Sequence, residues 1–224
     1  TPTRAFAKEI IFGGTPSLSR QGLGSIATLM LNVAAGAFGD AAIAGMSIVT
    51  RISFFTYAMV IGLGQGFQPL CGFCYGAKLY GRVKEAYFFC IRCGTVFLGV
   101  CALLGFIFST SIISIFRDDA AVVAVGSVAL RWQVLSFPLI ASIVLTNMLM
   151  QTIRKPVRAN IVAAARSGLF FIPLIFILPY FFGLLGVEMC QMWADCCSFA
   201  VAVPIAWSAF RDMRREQMEL GKSH

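Results

Sequence analysis

The stretch CGFCYGAKLYGRVKEAYFFCIRC, residues 71–93, places a short basic turn between two apolar segments. Two Cys-x-x-Cys pairs, Cys71/Cys74 and Cys90/Cys93, flank this turn with fifteen residues between them. That spacing lies in the range of a four-thiolate zinc site, and two antiparallel helices could bring all four thiols to one level. The sequence on either side decides between a zinc module and a membrane hairpin.

The composition of the chain favours a membrane protein. The 224 residues are 58% hydrophobic and 12% charged, with a mean hydropathy of +0.83. Soluble domains carry about a quarter of their residues as charges, whereas a bilayer protein needs no polar outer face because lipid is its solvent. The net charge of +8 is spread in small clusters between apolar stretches, so a nucleic-acid partner is not expected.

Long apolar segments recur along the whole chain. A helix needs about 20 residues to cross the hydrocarbon, and the runs here are continuous rather than alternating as in a β-barrel. The sequence therefore predicts an all-α, polytopic fold with six transmembrane helices. We place them near residues 18–38, 42–75, 85–116, 121–150, 160–181 and 189–210.

The charges between these segments predict the topology. One side carries thirteen basic residues: Arg4, Lys8, Arg20, Lys78, Arg82, Lys84, Arg154, Lys155, Arg158, Arg211, Arg214, Arg215 and Lys222. The other side carries Asp40, Arg117, Asp118, Asp119 and Glu188, with a single basic residue. By the positive-inside rule both termini are cytoplasmic, with residues 1–210 forming one six-helix unit and 211–224 a cytoplasmic tail.

This topology assigns the cysteines to a helical hairpin. Cys71 and Cys74 end one span and Cys90 and Cys93 begin the next, each pair at helical i,i+3 spacing among apolar residues. Free cysteine behaves there as a small buried hydrophobe, and a reducing cytoplasm disfavours disulfides. We therefore predict no metal at the hairpin.

Asp195 is the only acid well inside a predicted span. Such a group is either a proton or cation ligand or one half of an ion pair that joins two helices. Arg51 and Arg131 enter their spans from the same side to a similar depth, so we expect Asp195 to pair with one of them. Arg166 lies near the cytoplasmic end of its span, where its side chain would extend to the interface.

Neutral polar residues within the spans either line a water-filled cavity or hydrogen-bond between helices. The candidates are Gln65, Gln68, Asn147 and Gln151.

Glycine and proline mark the candidate hinges. Small residues allow close helix approach, and proline interrupts the helical hydrogen bonds, as in transporters that change shape. The candidates are Gly62, Gly64 and Gly66, with the first and last at GxxxG spacing, and Pro69, Pro138 and Pro173.

Nothing in the sequence points to an enzyme. The only histidine is the terminal His224, and no phosphate-cradling or nucleophile motif occurs. We expect neither catalytic residues nor an organic cofactor.

Three stretches resemble the carboxy-terminal half of MATE-family multidrug efflux transporters. They are GGTPSLSRQGLGSIATLMLN, GMSIVTRISFFTYAMVIGLGQGFQPLCGFCYGAKLYGRVKEA, and RSGLFFIPLIFILPYFFGLLGV followed by WADCCSF. The similarity runs from about Glu9 to Trp207, and the block around Gly64–Lys78 is its most specific part.

The resemblance implies one lobe of a twelve-helix antiporter with two six-helix lobes. Such a protein would export organic cations or drugs in exchange for sodium or protons by rocking of its lobes, in a bacterial cytoplasmic membrane. The chain begins at Thr1, so we expect an amino-terminal lobe upstream as its main partner besides the lipid bilayer.

The resemblance also bears on single residues. Positions that look like recurrent family residues are Arg51, Gln65, Gln68, Pro69, Gln151, Arg166 and Asp195. The first span carries no acid, and Ala141 stands near where some branches have aspartate, so the coupling ion is expected mainly in the absent lobe. Cys74 replaces the family's usual Asn, and Ser167 follows Arg166 where Gln is frequent.

Two other functions fit the same architecture. A flippase for lipids or polysaccharide precursors needs a basic headgroup site open to the bilayer, which Arg51 and Arg131 could supply. A non-transporting membrane scaffold or fragment is the third reading, although intramembrane charges argue against a pure scaffold.

Overall fold

A computed structural model describes the backbone of residues 4–222 and the side chains of residues 14, 18 and 21–219. All regular structure in this part of the chain is helical, as predicted. The helices are α1 (Arg4–Gly36), α2 (Asp40–Gly76), α3 (Tyr80–Ile107), α4 (Ser109–Phe116), α5 (Ala120–Thr152), α6 (Pro156–Ala164), a π-helical segment (Ala165–Leu169), α7 (Phe171–Phe182) and α8 (Leu184–Lys222).

Five helical stretches of the described chain are long and apolar enough to cross a membrane: Asp40–Gly76, Tyr80–Ile107, Ala120–Thr152, Pro156–Phe182 and Leu184–Glu219. These correspond to the second to sixth predicted spans. The first predicted span, 18–38, covers the second half of α1, whose side chains are described only at residues 14, 18 and 21–36, so this span stays a prediction. The predicted tail, 211–224, continues α8 without a break as far as Lys222.

The predicted basic side of the lobe is one physical end of the helix bundle. Lys155, after α5, contacts Asp212 of α8, and Tyr80, at the start of α3, donates to Glu216 of α8. The α2–α3 turn, the α5–α6 turn and the carboxy-terminal part of α8 therefore lie together. The side chains of Arg4, Lys8, Arg20 and Lys222, which the topology prediction also used, lie outside the described residues.

The two turns at this basic end have the same backbone geometry. Lys78 and Arg154 both adopt left-handed conformations, with φ of 59° and 56°. In each turn the following backbone N–H donates to the carbonyl five residues earlier. The Leu79 amide donates to the Cys74 carbonyl at 2.8 Å, and the Lys155 amide donates to the Met150 carbonyl at 2.9 Å. These Schellman bonds satisfy helix-terminal carbonyls and reverse the chain tightly.

Helix α5 is the centre of the lobe. In its most apolar window 61% of the residues are buried, against at most 33% in the other four spans. Glycines bring neighbouring helices close to it, since a Cβ on Gly64 of α2 would overlap the Met148 side chain of α5. The predicted contact through Gly62 and Gly66 is absent within the described residues, because both glycines face open space on the other side of α2.

The three predicted proline hinges behave differently. Helices α2 and α5 run unbroken through Pro69 and Pro138, so the predicted interruption is wrong at these two positions. Pro173 instead follows a real irregularity, because the π-helical segment ends four residues before it. Proline lacks an amide hydrogen and its ring clashes with the carbonyl four residues earlier, here that of Leu169. The helix between 156 and 182 changes its winding at this point.

Candidate functional site

Asp195 of α8 is the most buried charged group of the described chain, with no exposed surface. Its carboxylate accepts hydrogen bonds from three helical elements. The Nε of Arg166 donates to Oδ1 at 2.7 Å, and the Nε2 of Gln191, one turn earlier in α8, donates to the same oxygen at 3.1 Å. Asp195 therefore joins α8 to the segment that carries Arg166.

Helix α5 supplies the donors to the other oxygen. The Ser136 hydroxyl lies 2.8 Å from Oδ2 and the Gln133 amide lies 3.4 Å from it. Four donor side chains therefore surround the two carboxylate oxygens, and the single Ser136 proton is shared with the Gln133 carbonyl at 2.9 Å. The geometry matches an ion pair that joins helices.

Arg166 reaches Asp195 from the π-helical segment. Its guanidinium stacks on the Tyr57 ring of α2, with 4.6 Å from Cζ to the ring centroid. The bulge that precedes Pro173 turns this side chain into the lobe, and π-bulges often occur at functional sites. Arg166 thus contacts α2, α8 and its own element at one point.

The predicted partners of Asp195 are wrong. Arg131 donates from Nε to the Ser109 hydroxyl at 2.9 Å and lies against the Phe106 ring instead. At 100° per residue, Arg131 lies on the opposite side of α5 from Ser136. Arg51 is exposed and lies on a different side of α2 from Tyr57, so neither arginine approaches α8.

Arg166 also lies deeper than its position in the sequence suggests. It is 17 residues before the turn at Gly183, and Asp195 is 12 residues after that turn. At 1.5 Å per residue the two Cα levels differ by about 7.5 Å, a gap that an arginine side chain spans. The prediction that Arg166 extends to the membrane interface is therefore wrong.

A cavity of about 360 Å³ adjoins this network. It lies between α1, α2, the π-helical segment, α7 and α8. Its lining is Gln21, Gly24, Ser25, Ala27, Thr28, Leu31, Thr50, Ser53, Phe54, Tyr57, Ile61, Arg166, Ser167, Phe171 and Gln191. No acidic residue is among these, and Arg166 is the only charged one.

The small polar groups of the cavity wall differ in their hydrogen bonds. Ser25, Thr28 and Thr50 donate to carbonyls four residues earlier in their own helices. Their hydroxyl oxygens keep lone pairs for other groups. The buried Ser53 hydroxyl has no partner among the described residues.

The four neutral polar candidates lie outside this cavity. Gln65 is exposed and Gln68 half-buried on α2, and neither lines the cavity. Asn147 donates to the Ala159 carbonyl at 2.7 Å and accepts from Gln151 at 2.6 Å. Of the two roles left open for Asn147, the hydrogen bond between helices is therefore present, and the residue also borders a neighbouring void of about 20 Å³.

The four cysteines of the hairpin differ in burial. Cys71, Cys74 and Cys90 are buried in an apolar cluster, whereas Cys93 is exposed. Within the described chain no three His, Cys, Asp or Glu side chains are grouped so that they could hold a metal ion.

Sequence reasoning identified Asp195 and missed most of its surroundings. Gln191 could have been found, because it precedes Asp195 by one helical turn, and Gln133 and Ser136 share a face of α5 at i,i+3 spacing. Tyr57 and Ser53 carry no sequence signal that separates them from ordinary helix residues.

A family model and curated relatives match most of this chain. The MatE family model matches residues 16–177. The multidrug export protein MepA of Staphylococcus saprophyticus is 27% identical over 207 residues, which cover 92% of this chain and 45% of MepA. MepA of Staphylococcus aureus strain N315 is 28% identical over the same length. The chain thus spans about half the length of the curated relatives it matches.

Solved structures show the same fold. A MOP superfamily transporter from Pyrococcus furiosus superposes with a TM-score of 0.88 at 19% identity, over 96% of this chain and 49% of that one. A mutant of the Vibrio cholerae MATE transporter VcmN gives 0.87 at 18% identity, over 93% and 48%. The family supports a transport protein rather than an enzyme. With most of its length matched by the family model, the chain belongs to the MatE family, as the motifs around the basic hairpin predict.

Proposed function

We propose that this chain is the second lobe of a secondary active efflux transporter. The full protein would export small amphipathic drugs, organic cations among them, in exchange for sodium or protons. The observation that carries the proposal is the cavity of about 360 Å³ in a chain of the MatE family. Concave sites of 300–1,000 Å³ are typical of drug-sized ligands.

The lobe has the features that such a cycle needs. The cavity lies against α1 and α2, and its wall includes the π-helical segment at 165–169. Rocking of this lobe against an amino-terminal partner would alternate access to the cavity. The acid that binds the coupling ion belongs, in this proposal, to the partner lobe, because four donor side chains already surround the oxygens of Asp195.

Orientation and location follow from the same proposal. The basic end of the bundle would face the cytoplasm and the Gly183 end the outside, as the positive-inside rule predicts. Both termini of this half would then lie in the cytoplasm of a bacterial cell.

The flippase hypothesis has no residues in the cavity that favour it. Neither Arg51 nor Arg131, which would have formed the headgroup site, lines the cavity. A non-transporting role would leave a buried ion pair and a polar cavity without a use.

The test uses the full-length protein in proteoliposomes. Imposed sodium and proton gradients are applied separately, and uptake of a cationic dye is followed by fluorescence. We expect uptake with at least one gradient and none after its collapse. The same uptake rate with and without gradients would refute exchange, and no uptake of several dyes would favour a non-transporting protein.

A further inference from the structure

Helices α3 and α8 meet near the basic end of the bundle through aromatic rings. Phe88 of α3 stacks on Phe210 of α8, with 6.0 Å between the ring centroids and 23° between the ring planes. Phe210 also contacts the Tyr87 ring edge-on at 5.0 Å. Because Phe88 remains 43% exposed, the stacked pair lies at the surface of the bundle, between the two helices.

Two cations flank this stacked pair at one level. Lys84 precedes Phe88 by four residues, and its Nζ lies 6.0 Å from the centroid of that ring. Arg214 follows Phe210 by four residues. Since α3 and α8 run antiparallel, each cation lies about 6 Å from the stacked pair toward the basic end. We call the site formed by Lys84, Phe88, Phe210 and Arg214 the α3–α8 groove.

The acids of the basic end do not neutralise these cations. Asp212 pairs with two basic side chains near the α5–α6 turn, and Glu216 accepts from a tyrosine. Glu85 follows Lys84 directly, but neighbouring side chains diverge by 100° on a helix. Neither Lys84 nor Arg214 has an ion pair among the described residues. The groove therefore keeps two positive charges for an external anion.

The exposed face of α8 indicates that this anion belongs to a lipid. Trp207 is 69% exposed, and the guanidinium of Arg211 lies 5.8 Å from its ring. At 100° per residue, Trp207, Phe210, Arg211 and Arg214 fall within about 100° of one another. Exposed tryptophan beside basic residues is typical of the headgroup level of a membrane protein. Aromatic surface thus lies deeper than the cations, where the glycerol and upper acyl chains of a phospholipid would be.

We propose that the α3–α8 groove binds one anionic phospholipid of the leaflet at the basic end. Its phosphate lies between Lys84 and Arg214, and its upper acyl chains lie on Phe88, Phe210 and Trp207. Basic sites between membrane helices suit anionic head groups for this reason. The lipid is a resident ligand and not a transported one, so the inference requires only that the chain spans a bilayer.

The test counts bound lipids by native mass spectrometry of the full-length protein in detergent. The protein is titrated with phosphatidylglycerol or phosphatidylcholine of identical acyl chains. We expect the first phosphatidylglycerol to bind about thirtyfold more tightly, as two cations beside an anionic head group would provide. Glycerophosphoglycerol, the same head group without acyl chains, should not displace it at equal concentration.

Variants assign the preference to the two cations. Lys84→Gln/Arg214→Gln should bind the two lipids equally, and each single variant should lose about fivefold of the preference. The control Lys78→Gln/Arg82→Gln removes the same net charge from the α2–α3 turn and from a position about 160° around α3 from Lys84. It should keep the preference. All four positions are exposed, so melting temperatures in phosphatidylcholine nanodiscs should match wild type.

Three results would overturn the proposal. The first is equal affinity of the wild-type protein for phosphatidylglycerol and phosphatidylcholine. The second is a preference that survives in Lys84→Gln/Arg214→Gln, or that the control variant loses to the same extent. The third is displacement of the lipid by glycerophosphoglycerol at equal concentration, because the aromatic surface would then contribute nothing to binding.

Discussion

Helix α8 carries two aspartates that bind basic side chains in very different surroundings. Asp195 has no exposed surface, and its partners include Arg166, whose side chain is 16% exposed. Asp212, near the basic end, has a side chain that is 31% exposed and accepts from Lys155 at 2.6 Å and from Arg158 at 3.2 Å. An aspartate thus pairs with basic side chains once inside the bundle and once at its solvent-exposed basic end.

The two sites differ in the free energy that is lost when one partner is removed. At an exposed pair water replaces the missing charge, so the pair contributes about 0–1 kcal/mol. At a buried pair the remaining charge has no substitute, and its removal from water is not compensated. We therefore expect Asp195 to determine the stability of this lobe and Asp212 to contribute little.

The largest expected effect comes from Asp195→Asn. The change leaves Arg166 charged at the cavity wall without its carboxylate, and we expect a loss of about 3 kcal/mol. Thermal unfolding of the full-length protein in nanodiscs measures the effect, with wild type as the reference. A melting temperature within a degree of wild type would contradict the comparison.

Removing both charges should cost less than removing one. In Arg166→Gln/Asp195→Asn no buried charge remains, so we expect a loss of about 1–2 kcal/mol, smaller than that of Asp195→Asn. The same unfolding assay on the double variant and on both single variants, Asp195→Asn and Arg166→Gln, yields the coupling free energy of the pair. If the double variant were the less stable of the two, the ion pair could not be the source of the single-variant loss.

Ser136→Ala tests the hydrogen bonds around the carboxylate. It removes the 2.8 Å bond to Asp195 and leaves the ion pair in place, so we expect a loss of about 1–2 kcal/mol. Ser127→Ala is a matched control on α5, because that hydroxyl bonds only to the Ala124 carbonyl of its own helix. Equal losses in the two variants would mean that the contact with Asp195 adds nothing.

The smallest expected effect is that of Asp212→Asn. We expect a loss below about 1 kcal/mol that shrinks further as the salt concentration rises, because exposed ion pairs are screened. Unfolding at low and high ionic strength measures it. A salt-independent loss as large as that of Asp195→Asn would remove the distinction between the two ends of α8.

The site predictions differ in whether they depend on the local sequence or on contacts between helices. Asp195 could be identified from the sequence because a single acid stands out in an apolar span. Its partner was not, because depth estimated from segment boundaries carries errors of several residues, and each residue of error moves a side chain by 1.5 Å and 100°. Arg131 was excluded by its face on α5, and Arg166 was brought in by the bulge before Pro173.

Glycine and proline show the same limit. The spacing of Gly62 and Gly66 predicted a helix contact, yet Gly64, between them, is the residue that meets α5. Which face of α2 points inward depends on its neighbours, because apolar residues occur all around this helix. Pro69 and Pro138 leave their helices continuous, whereas the break before Pro173 coincides with the irregular 165–169 segment.

By itself the sequence determined that this protein lies in a lipid bilayer, that it is helical and which family it belongs to. Hydropathy and charge act along the chain and need no knowledge of packing, since every backbone polar group in lipid must be satisfied within its own helix. Only the tertiary structure decided that Arg166 pairs with Asp195 and that the cavity is lined by a cation. The reason is that side-chain contacts between helices depend on rotation and depth, and an apolar membrane helix carries almost no one-dimensional signal for either.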